Sequence, residues 1–428
     1  MGVKNLISII NKYCPSITNQ LHNRWKDLNG TTVVLDGTLF TQRFYYGKDG
    51  HFIGYLKLLK DLKLNNINLI AVFDGNKRLS QKFRENIRRE AVRKTNGSRL
   101  NIEKSRLERL NIFSDFISNY VIDDSYRTSL LQLFKFNIEI ECRFLPILTP
   151  SQISLSENEC KIYDAFIYKP FNKDVLEQDL KLLKFQTKES LTRYGKTPPS
   201  IETYEEARTL LKAFNIPVHI VNQDPVHEGE ALASAIMING MADYVLSEDT
   251  DVLIYGAKLI RDSTSSFGPL KLIDGSNLHS QLCLSKSQLI DFAILSGTDF
   301  SLTIPSIGPI RALKFIKDYG SIESILSSNQ KFRQLLECKF NISLNNFLNE
   351  VNEARKVYMT LPDVPDKHNF NNKDVIDKDF IINYLRNSDH NLDTEVIETL
   401  IEEIVYINKV DNWGENDNLN EYIYNWGN

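Results

Sequence analysis

The sequence is poor in the features that would tie it to a membrane, an oxidising compartment or a cysteine-built metal cluster. Its five cysteines, Cys14, Cys142, Cys160, Cys283 and Cys338, are scattered, with no CxxC pair and an odd total. That argues against a disulfide framework or a zinc site and fits a reducing compartment. No apolar run reaches membrane-spanning length, and the opening MGVKNLISIINKYCPS lacks the long hydrophobic stretch of a secretory signal. Gly2 invites an acylation reading, but Leu6 stands where that motif needs Ser or Thr. There is no GxxxxGK(S/T) loop, which argues against an NTPase. Nor is there a Ser/His/Asp or Cys/His grouping to supply a protein nucleophile.

What is present is ordinary globular material: 428 residues, 42% hydrophobic and 25% charged, enough for a core and for more than one domain. The net charge of −4 says nothing in favour of nucleic acid, but the charge is partitioned. Residues 76–110 are dense in Lys and Arg, whereas the final stretch, 408–428, is acidic and aromatic.

Three segments share one pattern, a short apolar strand ending in acid and followed by helix-like sequence. TTVVLDG ends at Asp36, INLIAVFDG at Asp74, and ADYVLSEDTD at Glu248 and Asp249, with the apolar run resuming at 252–255. A fourth strand is expected at NIPVHIV, 215–221, before a small-residue helix that opens with Glu228 and Glu230. Strands that are apolar throughout, alternating with helices, imply a mostly parallel sheet covered on both faces, a three-layer α/β/α architecture. Ligands bind such sheets beyond the carboxyl ends of the strands, so the acids should converge there.

Residues 99–200 read as an insertion, with strand-like pieces in 141–174 and a helix at 175–185. From 281 onward the chain reads as helical, with a turn between SKSQLIDFAILSG and PIRALKFIKDYG and two or three more helices in 345–407. The expected division is therefore 1–98, the insertion 99–200, 201–330 with a helix–turn–helix at about 286–320, helices over 331–407, and the tail 408–428.

Asp36, Asp74, Glu228, Glu230, Asp249, Asp251 and, after the next helix, Asp299 are candidates to meet at one sheet edge. Singly, an acid at a strand end is most often a helix cap or a solvated loop residue. Collectively they oppose folding, since two unit charges about 4 Å apart repel by roughly 4 kcal/mol at an effective dielectric of 20. Hard divalent cations offset that cost and prefer all-oxygen ligands. A pair of such ions is a standard device for cleaving phosphodiesters. His219 and His227 lie nearby in sequence and read as packing or surface residues.

In order and local context these residues resemble the flap endonuclease/XPG family of structure-specific 5′ nucleases, over most of the chain. MGVKNL is similar to the family's opening Met-Gly-Ile-x-x-Leu. VVLDG and AVFDGNKRLSQKFRENIRRE match its N-region. HEGEALASAIMINGMADYVLSEDTDVLIYG resembles the E-x-E-A…(S/T)-x-D-x-D core, and LSGTDFSLTIPSIGPIRALKFIKDYG resembles the helix–two-turn–helix segment. The resemblance implies a PIN-like nuclease core and two Mg²⁺ ions, with Mn²⁺ as a substitute. Asp36, Asp74, Glu228 and Glu230 would hold one ion, and Asp249, Asp251 and Asp299 the other, with Glu230 shared. It further implies Lys82 and Arg88 at the scissile phosphate. Gly2, Arg84, Arg89, Arg93, Ile307, Gly308 and Arg311 would contact DNA.

The implied activity is cleavage of DNA near single-strand/duplex junctions, with 5′ flaps or branched DNA as partner. The alternatives are a 5′–3′ exonuclease, a Holliday-junction resolvase, an RNA-directed nuclease or a non-catalytic binding scaffold. A monomer is expected, acting in the nucleus if cellular or at a cytoplasmic replication site if viral, without membrane association. Departures from the family pattern are the long 99–200 segment, Phe300 in place of Tyr, Ser306 in place of Gly, Lys82 one position off an ungapped match, and no QxxLxxFF sliding-clamp box. Glu248 has no counterpart in the pattern and is expected to be solvated.

Overall fold

A computed structural model of the chain describes residues 2–75, 82–118, 124–144, 147–168, 172–195, 197–221, 226–265, 268–302, 304, 306–339, 341–366, 376–388, 390 and 392–411. The chain divides into two compact units, one formed by Met1–Glu85 with Pro199–Asn428 and the other by Asn86–Pro198.

The larger unit is built on a seven-stranded sheet: β1 (Thr18–Leu21), β2 (Thr32–Asp36), β3 (Asn68–Phe73), β4 (Val218–Ile220), β5 (Tyr244–Leu246), β6 (Lys258–Arg261) and β7 (Leu270–Asp274). Their spatial order is β1-β7-β6-β5-β2-β3-β4. The run from β6 to β4 is parallel throughout, and β7 and β1 extend it by antiparallel pairing. The order reverses at β2, whose neighbours are β3 on one side and β5 on the other, and this is where such a sheet opens a crevice.

Alternation along the strands explains why both faces are apolar. Val34, Ile70, Val72, Val245 and Leu259 enter one core, with Leu6, Ile236, Leu253 and Phe292 from helices on that side. Val33, Leu35, Leu69, Ala71, Phe73, Leu246 and Ile260 enter the other, against Tyr55, Leu59, Leu210, Ile381 and Ile401. A sheet buried on both faces needs continuous Val, Ile and Leu, which is what β2, β3 and β5 supply.

Three local expectations are corrected. The apolar run 252–255 is not a continuation of the β5 strand: Asp251–Tyr255 is a short helix, ended by Gly256 at φ 91°. The strand-like pieces in 141–174 are helical, in helices Asp124–Phe144, Pro150–Ile167 and Lys173–Gly195. Thr149 caps the second of these in a reciprocal capping box with Gln152, and Pro150 stands at its favoured first position. Glu248 is buried rather than solvated, because Arg261 Nε (3.2 Å) and the amide of Asp262 (2.8 Å) donate to its carboxylate.

The smaller unit packs Phe113, Leu131, Phe134, Tyr163, Phe166 and Leu180 into its own core. Beside that core lies a buried ionic network. Arg106 donates to Glu103, to Glu159 (3.2 Å) and to Ser156 (2.7 Å), and Arg109 donates to Glu159 (2.7 Å) and Glu141 (3.1 Å).

Candidate active site

The carboxyl ends of β2, β3 and β5 lie side by side, and their acids are held by the backbone around them. Asp36 ends β2 and caps helix Gly37–Tyr46: its Oδ1 accepts from Leu39 N at 3.0 Å and its Oδ2 from Ser247 Oγ at 2.8 Å. Ser247 follows β5 and also accepts the amide of Asp249 at 3.0 Å, so one hydroxyl joins the two strand ends. Asp74 follows β3. Its amide donates to Thr38 Oγ1 (2.8 Å), and its Oδ1 accepts from Gly229 N (2.6 Å). A Cβ on Gly229 would come within 3.1 Å of that same oxygen, a close approach that favours glycine between Glu228 and Glu230.

Glu228 precedes helix Gly229–Ile238 and Glu230 lies in its first turn, where the helix dipole favours negative charge. Asp251 opens helix Asp251–Tyr255, and its amide donates to Asp249 Oδ1 at 3.0 Å. Gly2 adopts φ +79°. A Cβ there would overlap Asp249 and come within 2.7 Å of Asp251 Oδ1 and Thr250 Oγ1, so the N-terminal strap passes directly over these carboxylates.

Electrostatics shows that the acids share one site. Burial and then the charge of Asp74 raise the Asp36 carboxyl to about 7, and burial and then Glu228 raise Asp74 to about 6. Glu230 is pushed well above the carboxylate range by burial and then by Glu228, with Asp249 and Asp74 adding to the shift. Asp251 is pushed up by burial and then by Asp249, with Asp299 contributing. Each acid therefore feels others supplied by different elements.

Against them the described residues set Lys82, which pairs with Glu228 and lies 3.9 Å from Asp299. Burial lowers the Lys82 pKa, but Glu228, Glu230 and Asp299 outweigh it and leave the ammonium well above its ordinary value. Its Nζ stands 4.8 Å from the Phe300 ring centroid, and Phe300 packs edge-on against Tyr358. One ammonium cannot balance seven carboxylates. Asp251 Oδ1 is buried without a well-formed hydrogen bond, and the Tyr358 hydroxyl beside it opposes the rise of its pKa.

The family model described as the XPG I-region matches residues 219–299, the stretch that contributes Glu228, Glu230, Asp249, Asp251 and Asp299. An uncharacterized protein of Schizosaccharomyces pombe is 30% identical over 260 residues, which is 56% of this chain and 50% of that protein. Flap endonuclease 1 of Haloquadratum walsbyi is 37% identical over 131 residues, 31% of this chain and 39% of that one. Residues 219–299 therefore carry an XPG I-region, and the chain is similar in sequence to flap endonucleases.

The stretches matched thus span half or less of these curated relatives. Among solved structures, the catalytic core of Rad2 in complex with DNA substrate aligns with a TM-score of 0.53 at 17% identity, covering 94% of this chain and 99% of that one. Flap endonuclease-1 from Methanococcus jannaschii aligns with a TM-score of 0.52 at 19% identity, with the same coverage of both chains. At these identities the likeness establishes the fold, an α/β core with a mostly parallel sheet.

The remaining candidate residues fall in different places. Arg88, Arg89 and Arg93 lie on helix Phe83–Ser118, in the smaller unit. Arg84, in the larger unit, is engaged by Glu350, with Nε–oxygen distances of 3.0 and 3.1 Å. Ile307 is buried, and Gly308 precedes helix Pro309–Tyr319. Arg311 Nη1 donates to Ser306 O at 2.7 Å. Ser306, where the family pattern has glycine, sits at φ 72°, a left-handed conformation that costs a side-chain-bearing residue about 1–2 kcal/mol. His227 is buried and its Nε2 lies 2.9 Å from Thr360 Oγ1, a packing role. The residues overlooked in the sequence are Thr38 and Ser247. Ser247 stood inside the quoted (S/T)-x-D-x-D motif, but no spacing rule ties its hydroxyl to Asp36, 211 positions away.

Proposed function

We propose that the chain is a Mg²⁺-dependent, structure-specific nuclease that hydrolyses DNA phosphodiesters near single-strand/duplex junctions, with 5′ flaps as the substrate class. The observation that carries this reading is the excess, among the described residues, of buried carboxylate over buried cation at the edge of β2, β3 and β5. The donor set fits the cation: all seven groups offer oxygen, which suits a hard dication. Asp36, Asp74, Glu228 and Glu230 would hold one ion, and Asp249, Asp251 and Asp299 the second. Bound there, such ions would make a water nucleophilic at neutral pH and stabilise charge on the leaving oxygen.

The chain's own residues would prepare the site. Leu39 N and Ser247 fix both oxygens of Asp36, and Gly229 N fixes one of Asp74, so these ligands need little reorganisation. Lys82, poised over Phe300, would exchange its carboxylate partners for a phosphate oxygen as substrate arrives. Gly2, lacking a side chain, leaves room for backbone to approach at the same edge. The first amides of helix Pro309–Tyr319 would grip duplex phosphates irrespective of sequence.

The test is a cleavage panel of 5′-flap, nicked, four-way-junction and RNA substrates, with and without Mg²⁺, for the wild type and Asp249→Asn. Cutting near the flap junction should require Mg²⁺. In the variant it should fall by more than the ~10–100-fold typical of losing an outer-sphere partner, with DNA affinity retained. Equal turnover in the variant, or cutting in EDTA, would overturn the assignment. Preference for the four-way junction or RNA would replace the flap by that substrate.

A further inference from the structure

A second cluster of metal-ligating side chains lies in the larger unit. His51 is the second residue of helix Gly50–Leu64, Glu206 lies in helix Ile201–Ala213, and His390 lies between helices Lys378–Arg386 and Thr394–Asp411. One donor atom from each residue falls within 4.8 Å of the other two. His51 Nε2 is 3.0 Å from Glu206 Oε2, and His390 Nε2 is 3.1 and 3.2 Å from the two Glu206 oxygens.

Ordinary hydrogen bonding leaves this cluster incomplete. His51 is 2% exposed, yet its Nε2 makes no hydrogen bond of usable geometry. The ring packs against both Phe52 and His390, with centroids at 4.2 and 5.0 Å, and those two rings also touch each other.

We propose that His51, Glu206 and His390 form a zinc site that fastens the segment carrying His390 to the two helices supplying the other ligands. Two imidazoles and one carboxylate are a zinc-type donor set, unlike the all-oxygen edge that suits Mg²⁺. Ligands 2.0–2.1 Å from zinc in a tetrahedron stand about 3.3 Å apart; the two His–Glu spacings here are within a few tenths of that, and all three donors lie within 4.8 Å of one another. His390 is partly exposed (36%), which leaves the fourth position open to water. The inference is independent of the nuclease reading.

The experiment uses the full chain, stripped with EDTA and dialysed into excess Mg²⁺ so that the carboxylate edge is saturated. Zn²⁺ is then titrated, and metal retained after gel filtration is measured. Co²⁺ serves as a parallel spectroscopic probe. One Zn²⁺ per chain should be retained, Co²⁺ should give the intense visible bands of a tetrahedral site, and the melting temperature should rise on Zn²⁺ addition. His390→Ala and Glu206→Gln should weaken Zn²⁺ binding by more than ~100-fold and abolish the melting shift, since each loses a direct ligand rather than an outer-sphere partner. His390→Ala removes the most exposed of the three side chains and decides the matter even if His51→Ala does not fold. No retained zinc, octahedral-type Co²⁺ spectra, or wild-type zinc binding in both His390→Ala and Glu206→Gln would each overturn the proposal.

Discussion

In the unit Asn86–Pro198, fully buried Glu103 and Glu159 meet fully buried Arg106, and Arg109 reaches both Glu159 and Glu141. Nearly every oxygen there has a donor: Gln152 serves Glu103 at 2.7 Å, and Tyr163 serves Glu159 at 2.9 Å. At the edge of β2, β3 and β5, buried acids gather with Lys82 opposite them, and an oxygen of Asp251 lacks a well-formed hydrogen bond. Both regions pay for desolvation, but only the first is completed by the chain itself. Charge completed in this way serves structure; charge left open is what the proposed metal site would be expected to show.

Substitution should therefore act in opposite directions in the two regions. The largest stability loss is expected for Arg106→Met, which leaves Glu103 in the interior without a cationic partner and removes one of the two arginines on Glu159. Urea unfolding of the smaller unit should weaken by about 3–5 kcal/mol, the usual result of removing one partner from a buried ionic pair. A loss under 1 kcal/mol would mean that the network is not closed as described. Next is Ser247→Ala, which removes the hydroxyl joining Asp36 to Asp249. Mg²⁺ affinity should fall by about 10–100-fold with little change in melting, a split that a purely structural serine would not show. The smallest and most telling effect is that of Asp251→Asn in EDTA. Relieving one repulsion should raise stability by about 1 kcal/mol, and added Mg²⁺ should narrow or reverse the difference from wild type. A destabilised variant in EDTA would show that the open carboxylates are already compensated.

Much of the sheet was legible in the sequence because it is buried on both faces. β2, β3 and β5 are runs of Val, Ile, Leu and Phe that have no alternative as solvent-facing segments, and the acids at their ends follow directly. β1, β6 and β7 were not anticipated. β1, TNQL, is half-exposed and has one apolar residue, and β7 alternates Leu and Lys, so neither gives the signal of a central strand. The helices at 141–174 were misread because Ile, Tyr and Phe favour strands intrinsically. Here Ile162, Tyr163 and Phe166 instead line one side of a helix packed in the smaller core, so tertiary burial overrode propensity.

The acids of the site could be named from sequence, but their supports could not. Ser247 and Thr38 act across strand pairings that spacing does not reveal, and the burial of Glu248 depends on Arg261 from the neighbouring β6. The cluster proposed to bind zinc was invisible for the same reason. His51, Glu206 and His390 are single residues more than a hundred positions apart in turn, with no motif around any of them. Only the packing of two helices and an interhelical segment brings them together.

The pairing of β5 with β2 joins residues 244–246 to residues 33–35. During synthesis the first acid leaves the ribosome long before its neighbours in the fold exist. A nascent chain ending before residue 244 has β2 without β5, and Asp36 without Ser247 or Asp249. The carboxylate edge therefore cannot mature stepwise along the chain. It arises only after the central strands have closed over a loop of some two hundred residues, a separation that favours late formation. Interrupted translation would then release fragments that carry some of the acids without the assembled carboxylate edge.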